Sequence, residues 1–360
     1  MKAVMLVADQ VMEVQEIPLQ PLTAGTCRIR VVNVGVCSSD IQRSFAGGAY
    51  FYPLVIGHEI AGEVIEVAAQ VKKVKPGDRV VVFPLLPCFN CESCAAESYV
   101  QCHRYGYYGS RQHGGFADYI DVNEWNLLPL PENVSFSDAA AIEPMSVVVH
   151  ALKKAGLFVN PPRQASIAII GAGFLGLLMA QILQIKAPDC EVSIFDRNSF
   201  KLDIAKKYAK LTYQLSQQED WKTFLDERGR SAYPIVIEAT GAPSTFTYSL
   251  DLAKPNGKVI WLGNITDDLT LPKKLVSSIL RKELTILGTW NSDYHPDKQD
   301  DWKDTLKLIQ ESVHPSDLVT HWVRLSEIPA LLKKLYDHKK GVERFDIIKA
   351  MVQSDTKEIA

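Results

Sequence analysis

The chain has 360 residues and a formal net charge of −3, enough length for two domains at roughly 150 residues each. Hydrophobic residues make up 47% and charged residues 22%, the balance of a globular protein with a substantial core. This charge argues against nucleic acid or an anionic membrane as partner, and no apolar run reaches the roughly 18 residues of a membrane helix.

The opening MKAVMLVADQ lacks the long apolar stretch and small-residue cleavage site of a secretion signal. A cytoplasmic, reducing setting is therefore expected, where structural disulfides are uncommon. Through about residue 145 the chain carries short valine-rich runs. RIRVVNVGV, EVIEVAAQV, DRVVVFP and FADYIDV read as strands, with Pro76-Gly77-Asp78 a turn between two of them. These predict an antiparallel, barrel-like β domain with loops.

One of those loops reads CFNCESCAAESYVQC. Four thiols, Cys88, Cys91, Cys94 and Cys102, fall within fifteen residues, and four thiolates make the closed tetrahedral shell of a structural zinc ion. A pair of disulfides and a C-x2-C redox pair are the rivals. Cys27 and Cys190 read as packing residues.

From about residue 145 the rhythm becomes strand, helix, strand. SIAIIGAG is a strand ending in glycines, FLGLLMAQILQIK a helix and EVSIFD a strand. FKLDIAKKYAK is an amphipathic helix capped by Asn198 or Ser199. YPIVIEAT, a helix through STFTYSLDLA, KVIWLG and ELTILGTW follow. Apolar strands alternating with helices predict a doubly wound parallel sheet, a Rossmann-type α/β domain. Beyond about 290, two helices (DDWKDTLKLIQ and SEIPALLKKLYDH) and a strand (FDIIKAMV) are expected, with a frayed tail QSDTKEIA.

Between SIAII and its helix stands Gly171-Ala172-Gly173-Phe174-Leu175-Gly176. A G-x-G-x-x-G in that setting lets backbone amides approach a pyrophosphate at a helix N-terminus. Asp196 ends the next strand, where a carboxylate accepts from the adenosine ribose and repels a 2′-phosphate. NAD is therefore expected over NADP, although Arg197 next door suits that phosphate. A ligand-free tight turn is the bland alternative.

A catalytic metal needs an open position. Cys37 in GVCSSD, His58 and Glu59 in GHE, and Glu143 at an apolar helix start are candidates, each weak alone. Glu143 could equally serve the helix dipole.

Taken together, GVCSSD, GHEIAGEVIEVAAQV, KPGDRVVV, the cysteine loop and GAGFLG resemble the zinc-dependent medium-chain dehydrogenase/reductase superfamily. Its signature G-H-E-x2-G-x5-[GA]-x2-V is met by Gly57, His58, Glu59, Gly62, Ala68 and Val71. YPLVIGHE, PLLPCFNC, QCHRYGYYGSRQHGGFADY, AIEPMSVVVH and LRKELTILGTW resemble its polyol branch, and within that the members using a sugar-alcohol phosphate. Ser38 stands where the family usually has glycine.

The resemblance implies a GroES-like catalytic domain from residues 1–145 and 291–360, with a structural zinc lobe at about 84–105, and a Rossmann domain at 146–290. It makes Cys37, His58 and Glu143 ligands of a catalytic zinc, Glu59 an alternate ligand and Ser39 the start of a proton relay. It implies two zinc ions per chain, a homodimer or homotetramer, and reversible hydride transfer from a secondary alcohol to NAD. For the substrate phosphate, Arg43, Arg111 and the Arg281-Lys282 pair are candidates, since guanidinium groups pair well with phosphate. A dehydrogenase of free polyols, of the sorbitol or L-iditol type, is the runner-up. An inactive binding homologue and a zinc-free quinone reductase are readings of other classes.

Overall fold

The structure, a computed structural model, describes residues 1–227 and 232–354; the tail expectation falls largely on residues 355–360, outside them. The chain divides into two compact units, Met1–Pro144 with the described residues from Asp293 on, and Met145–Ser292.

The first unit is built around the strand Thr26–Gly35, buried on both faces. Cys27, Ile29 and Val31 face the core. On the other face, Arg28 stands opposite Glu66 and Asp121, and Arg30 opposite Glu63, with ion pairs of 2.7, 2.9 and 2.6 Å. Cross-strand charge pairing is what makes two buried guanidinium groups tolerable.

This strand pairs with Glu59–Val67 along one edge. Along the other it pairs with Tyr119–Asn123 in its first half and Lys349–Gln353 at its end. Arg79–Val82 and Leu127–Pro129 extend one side, and Val319–Val323 closes the other as the seventh strand. The turn at Pro76-Gly77 is present, with Gly77 at φ 91° donating to the Val64 carbonyl at 2.8 Å. The antiparallel expectation fails in one place: Val319–Val323 runs parallel to Lys349–Gln353. A hairpin of Lys2–Ala8 and Val11–Glu16, absent from the sequence reading, forms a small sheet with Leu54–Val55.

The second unit holds a six-stranded parallel sheet. Numbered within the unit, its strands are Ser166–Ile170, Glu191–Asp196, Leu211–Gln214, Tyr233–Glu238, Ala253–Trp261 and Thr285–Gly288, in spatial order 3-2-1-4-5-6. The order reverses beside Ser166–Ile170, and a crevice outside the strand ends at such a switch point is where parallel α/β sheets take ligands. Phe174–Lys186 fits the apolar run noted in the sequence. The helix after Asn198 is shorter than its periodicity suggests, Ser199–Ala205, with the Asn198 side chain accepting from the Phe200 amide at 2.9 Å. Helices Gln218–Glu227 and Lys273–Lys282 were not anticipated. No helix of the described residues is long and apolar enough to cross a membrane.

Candidate active site

Cys37 caps the helix Ser38–Phe45. Its amide donates to Asp40 Oδ2 at 2.9 Å, so the C-S-S-D spacing fixes the thiol at a helix N-terminus, where a thiolate is favoured. Burial alone would raise the thiol's pKa, but the His58 ring beside it outweighs this and holds it below its ordinary value. Asp40 is fully buried, with Oδ1 3.4 Å from His58 Nδ1, an ion-pair contact too poorly angled for a hydrogen bond. Desolvation would lower the pKa of His58; the Asp40 charge raises it well above normal.

His58 and Glu59 lie where the strand Glu59–Val67 begins. Glu59 stands opposite Gly35, and a Cβ on Gly35 would lie 1.7 Å from Glu59 Oε2. Glycine at this register admits the carboxylate. Lys349 reaches the same group from the last strand, 2.7 Å from Oε1 and 2.6 Å from Oε2.

One ligand atom each from Cys37, His58 and Glu59 lie within 4.8 Å of one another. Glu143 is outside that set. It is buried in the first turn of the helix Ile142–Ala155 and accepts from the Tyr107 hydroxyl at 2.9 Å. Burial raises its pKa and, more strongly, that of Tyr107. The thiolate, imidazole and carboxylate suit zinc, in the number that leaves a fourth position open. The Cys37 thiolate would offset part of a divalent charge, and Glu59 shares its own with Lys349. Buried His58 Nδ1 and Asp40 Oδ1 face each other without a well-angled hydrogen bond, and Glu59 Oε2 is met by Lys349 at 2.6 Å, so the fit to a cation rests on the donor set.

The segment that brings Tyr107 here crosses the chain just before His58. Gly114, Gly115 and Phe116 donate to the carbonyls of Val55, Gly57 and Ile56 at 2.7, 2.8 and 3.0 Å. A Cβ on Gly114 would lie 2.2 Å from the Gly57 oxygen, so only glycine permits this approach. Of the tentative substrate residues, Arg43 donates to Ser39 Oγ at 2.8 Å and lies 3.5 Å from Asp40. Arg111 donates to the Tyr50 hydroxyl at 2.9 Å. Arg281 turns to Ser277. Lys282 donates to the Leu250, Asp251 and Ala253 carbonyls, capping a helix end instead of meeting a ligand.

In the loop, sulfur separations are 3.5 Å for Cys91–Cys94, 3.8 Å for Cys91–Cys102 and 4.0 Å for Cys88–Cys94. A tetrahedron with Zn–S bonds of about 2.3 Å has edges of about 3.8 Å, whereas a disulfide needs about 2.05 Å. The thiols are free. These distances set aside the disulfides, a C-x2-C redox pair leaves the two neighbouring cysteines without a role, and the four sulfurs fit a closed zinc shell.

In the second unit, Gly173 caps the helix Phe174–Lys186, and a Cβ there would meet nothing within 4 Å. Its neighbours are crowded: a Cβ on Gly176 would lie 1.9 Å from the Gly171 oxygen, and Gly171 has φ 113°. This is a cradle with its open side at the helix N-terminus, as a pyrophosphate requires. Phe174 is buried and Leu175 half-buried. Asp196 Oδ2 accepts from the Ala172 amide at 2.7 Å and Oδ1 from Asn198 at 2.8 Å, so it braces the glycine loop and keeps lone pairs for a ribose. Arg197 is exposed.

Residues 23–132 match the family model of the alcohol dehydrogenase GroES-like domain, and residues 175–311 that of zinc-binding dehydrogenases. Galactitol 1-phosphate 5-dehydrogenase of Escherichia coli is 33% identical over 313 residues, 86% of this chain and 89% of that protein. The chain belongs to the zinc-dependent alcohol dehydrogenase family. It is thus an oxidoreductase of a family that uses zinc and a nicotinamide dinucleotide. Erythritol/L-threitol dehydrogenase of Mycolicibacterium smegmatis is 28% identical and covers 95% of this chain and 96% of that protein. The crystal structure of galactitol-1-phosphate dehydrogenase from Escherichia coli superposes with a TM-score of 0.85 at 30% identity, covering 98% of this chain and 100% of that one.

Sequence reasoning missed Asp40, Tyr107, Lys349 and Gly35. Asp40 carried a signal, an acid three residues after Cys37. The others reach their partners only through tertiary pairing.

Proposed function

We propose that this family member oxidises a secondary alcohol of a sugar-alcohol phosphate, galactitol 1-phosphate or a close analogue, to the ketose phosphate with NAD, reversibly. The observation that carries the reading is the convergence of Cys37, His58 and Glu59, with Glu143 beside them. An inactive homologue has no use for an open donor set, and a zinc-free reductase has none of the cysteines. Likeness to the galactitol 1-phosphate enzyme supplies the substrate class.

Cys37 and His58 would hold the metal with Glu59 or Glu143 as the carboxylate, and Gly171 to Gly176 with Asp196 would hold the dinucleotide. When bound, the metal supplies Lewis acidity toward the substrate hydroxyl, and the dinucleotide supplies the hydride acceptor. The chain's own groups govern the proton. Ser39 Oγ accepts from Arg43, which polarises its O–H and suits it to begin passing the substrate proton to solvent. Asp40 places its charge 3.4 Å from His58 Nδ1, and Lys349 offsets the Glu59 charge. Asp196 favours NAD over NADP. A cytoplasmic setting suits seven free cysteines.

The free-polyol reading has one observation in its favour: Arg43 is already engaged by Ser39 and Asp40. Turnover of galactitol 1-phosphate, other hexitol and pentitol phosphates and the matching free polyols, each with NAD and NADP, tests the proposal. A higher kcat/KM on a hexitol phosphate with NAD is expected. Equal or better use of the free polyol would overturn the phosphate assignment.

A further inference from the structure

Several arginines of the first unit are neutralised by carboxylates. Arg28 and Arg30 pair with carboxylates across strands, Arg43 with Asp40 and Arg344 with Asp346. Arg111 differs. Its guanidinium carbon lies 4.1 Å from the ring centroid of Tyr50 and 4.1 Å from that of Tyr105. Its one hydrogen bond among the described residues goes from Nη2 to the Tyr50 hydroxyl, and no carboxylate there pairs with it. Cation–π contact fixes a guanidinium and strips water from its faces without cancelling its charge. A guanidinium has five N–H donors in one plane, so most of its edge stays available for a planar, two-point grip on an anion.

The clamp is also tied to the candidate metal site. The Arg111 amide donates to the Tyr107 carbonyl at 2.9 Å, and the Tyr107 hydroxyl donates to Glu143. The Tyr107 ring lies 5.8 Å from that of His58 and 6.3 Å from that of Tyr105. Tyr50, exposed, belongs to the loop after the Cys37 helix, which Gly48 ties back through its bond to the Gln42 carbonyl at 3.3 Å. One wall of the clamp therefore hangs from the segment that carries Cys37, and the other from the segment that carries Tyr107.

We propose that Arg111, flanked by Tyr50 and Tyr105, is the phosphate-binding residue that sets preference for a phosphorylated polyol, while Arg43 serves Ser39 within its own helix. The inference rests on the polyol-phosphate reading above and deepens it.

The test is the ratio of kcat/KM on galactitol 1-phosphate to kcat/KM on galactitol, in wild type, Arg111→Met, Arg111→Lys and Tyr105→Leu. Losing a charge-assisted contact should cut this ratio roughly 10- to 100-fold in Arg111→Met, chiefly through the KM of the phosphate. Arg111→Lys and Tyr105→Leu should fall between. Inorganic phosphate should compete with the polyol phosphate in wild type and do so more weakly, by a similar factor, in Arg111→Met. An unchanged ratio, or a loss confined to kcat or to the KM of NAD, overturns the assignment of Arg111 and leaves the substrate class standing. A wild type without preference for the phosphate overturns both.

Discussion

Lys349 and Glu59, separated by 290 positions, form an ion pair that is buried on both sides, with side-chain exposures of 5% and 1%. Removing one partner leaves an uncompensated charge in the interior, which costs more than the pair itself contributes. Lys349→Met should lower unfolding stability by about 3–5 kcal/mol, and adding Glu59→Gln should restore most of it. Urea unfolding of the three proteins checks this; a single variant as stable as wild type would contradict it.

The nucleotide loop separates two kinds of glycine. Gly176→Ala drives a methyl into the Gly171 carbonyl and should cost about 1–3 kcal/mol of stability. Gly173→Ala meets no protein atom, so its melting temperature should match wild type. Its NAD dissociation constant should rise about tenfold or more, the overpacking cost now falling on the ligand. Titration of NAD against protein fluorescence separates the outcomes.

His113 gives a pH dependence with a definite sign. Its Nδ1 accepts from the Val55 amide at 3.1 Å, and burial lowers its pKa. As pH falls below the unfolded value of about 6.5, the unfolded chain takes up the proton first. The contribution to stability is thus present above about pH 6.5 and lost as pH falls through the lower folded value. His113→Asn keeps an acceptor near Nδ1 without titrating there. The stability advantage of wild type over this variant should shrink on acidification, measured as a difference in melting temperature at each pH; a constant difference would contradict it.

The four-thiol lobe rests on an aromatic cluster. Phe89 and Tyr99 lie 5.1 and 5.2 Å from the Trp125 ring, and Glu97 pairs with Lys298. Cys94→Ser should remove one metal ion per chain, change the Trp125 emission and open residues 88–102 to protease. Retention of full metal would refute the closed shell.

What the sequence revealed was local. Phe174–Lys186 was legible as a mostly apolar run behind a glycine turn, and the thiol cluster by its spacing. The Ser199–Ala205 helix stopped early because Lys206 to Tyr208 turn away, a choice that amphipathic spacing does not record. The last strand begins at Lys349, not Phe345, because the Phe345 amide is taken by His338 Nδ1 and that of Ile348 by Thr320 Oγ1. The helix Lys273–Lys282 was hidden by its polar composition and by an N-cap that is a proline. In the candidate site, Lys349, Tyr107 and Gly35 owe their places to strand register and to glycine contacts between distant segments. No spacing in the chain announces those.

The central claim is that Cys37 and His58, with an adjoining carboxylate, grip a catalytic metal distinct from the one in the thiol lobe. Metal analysis of wild type and Cys37→Ser, with polyol phosphate oxidation assayed on the same samples, tests it most directly. Two zinc ions per chain falling to one, together with loss of oxidation, is the predicted result. A Cys37→Ser protein that keeps both ions and its activity would contradict the account.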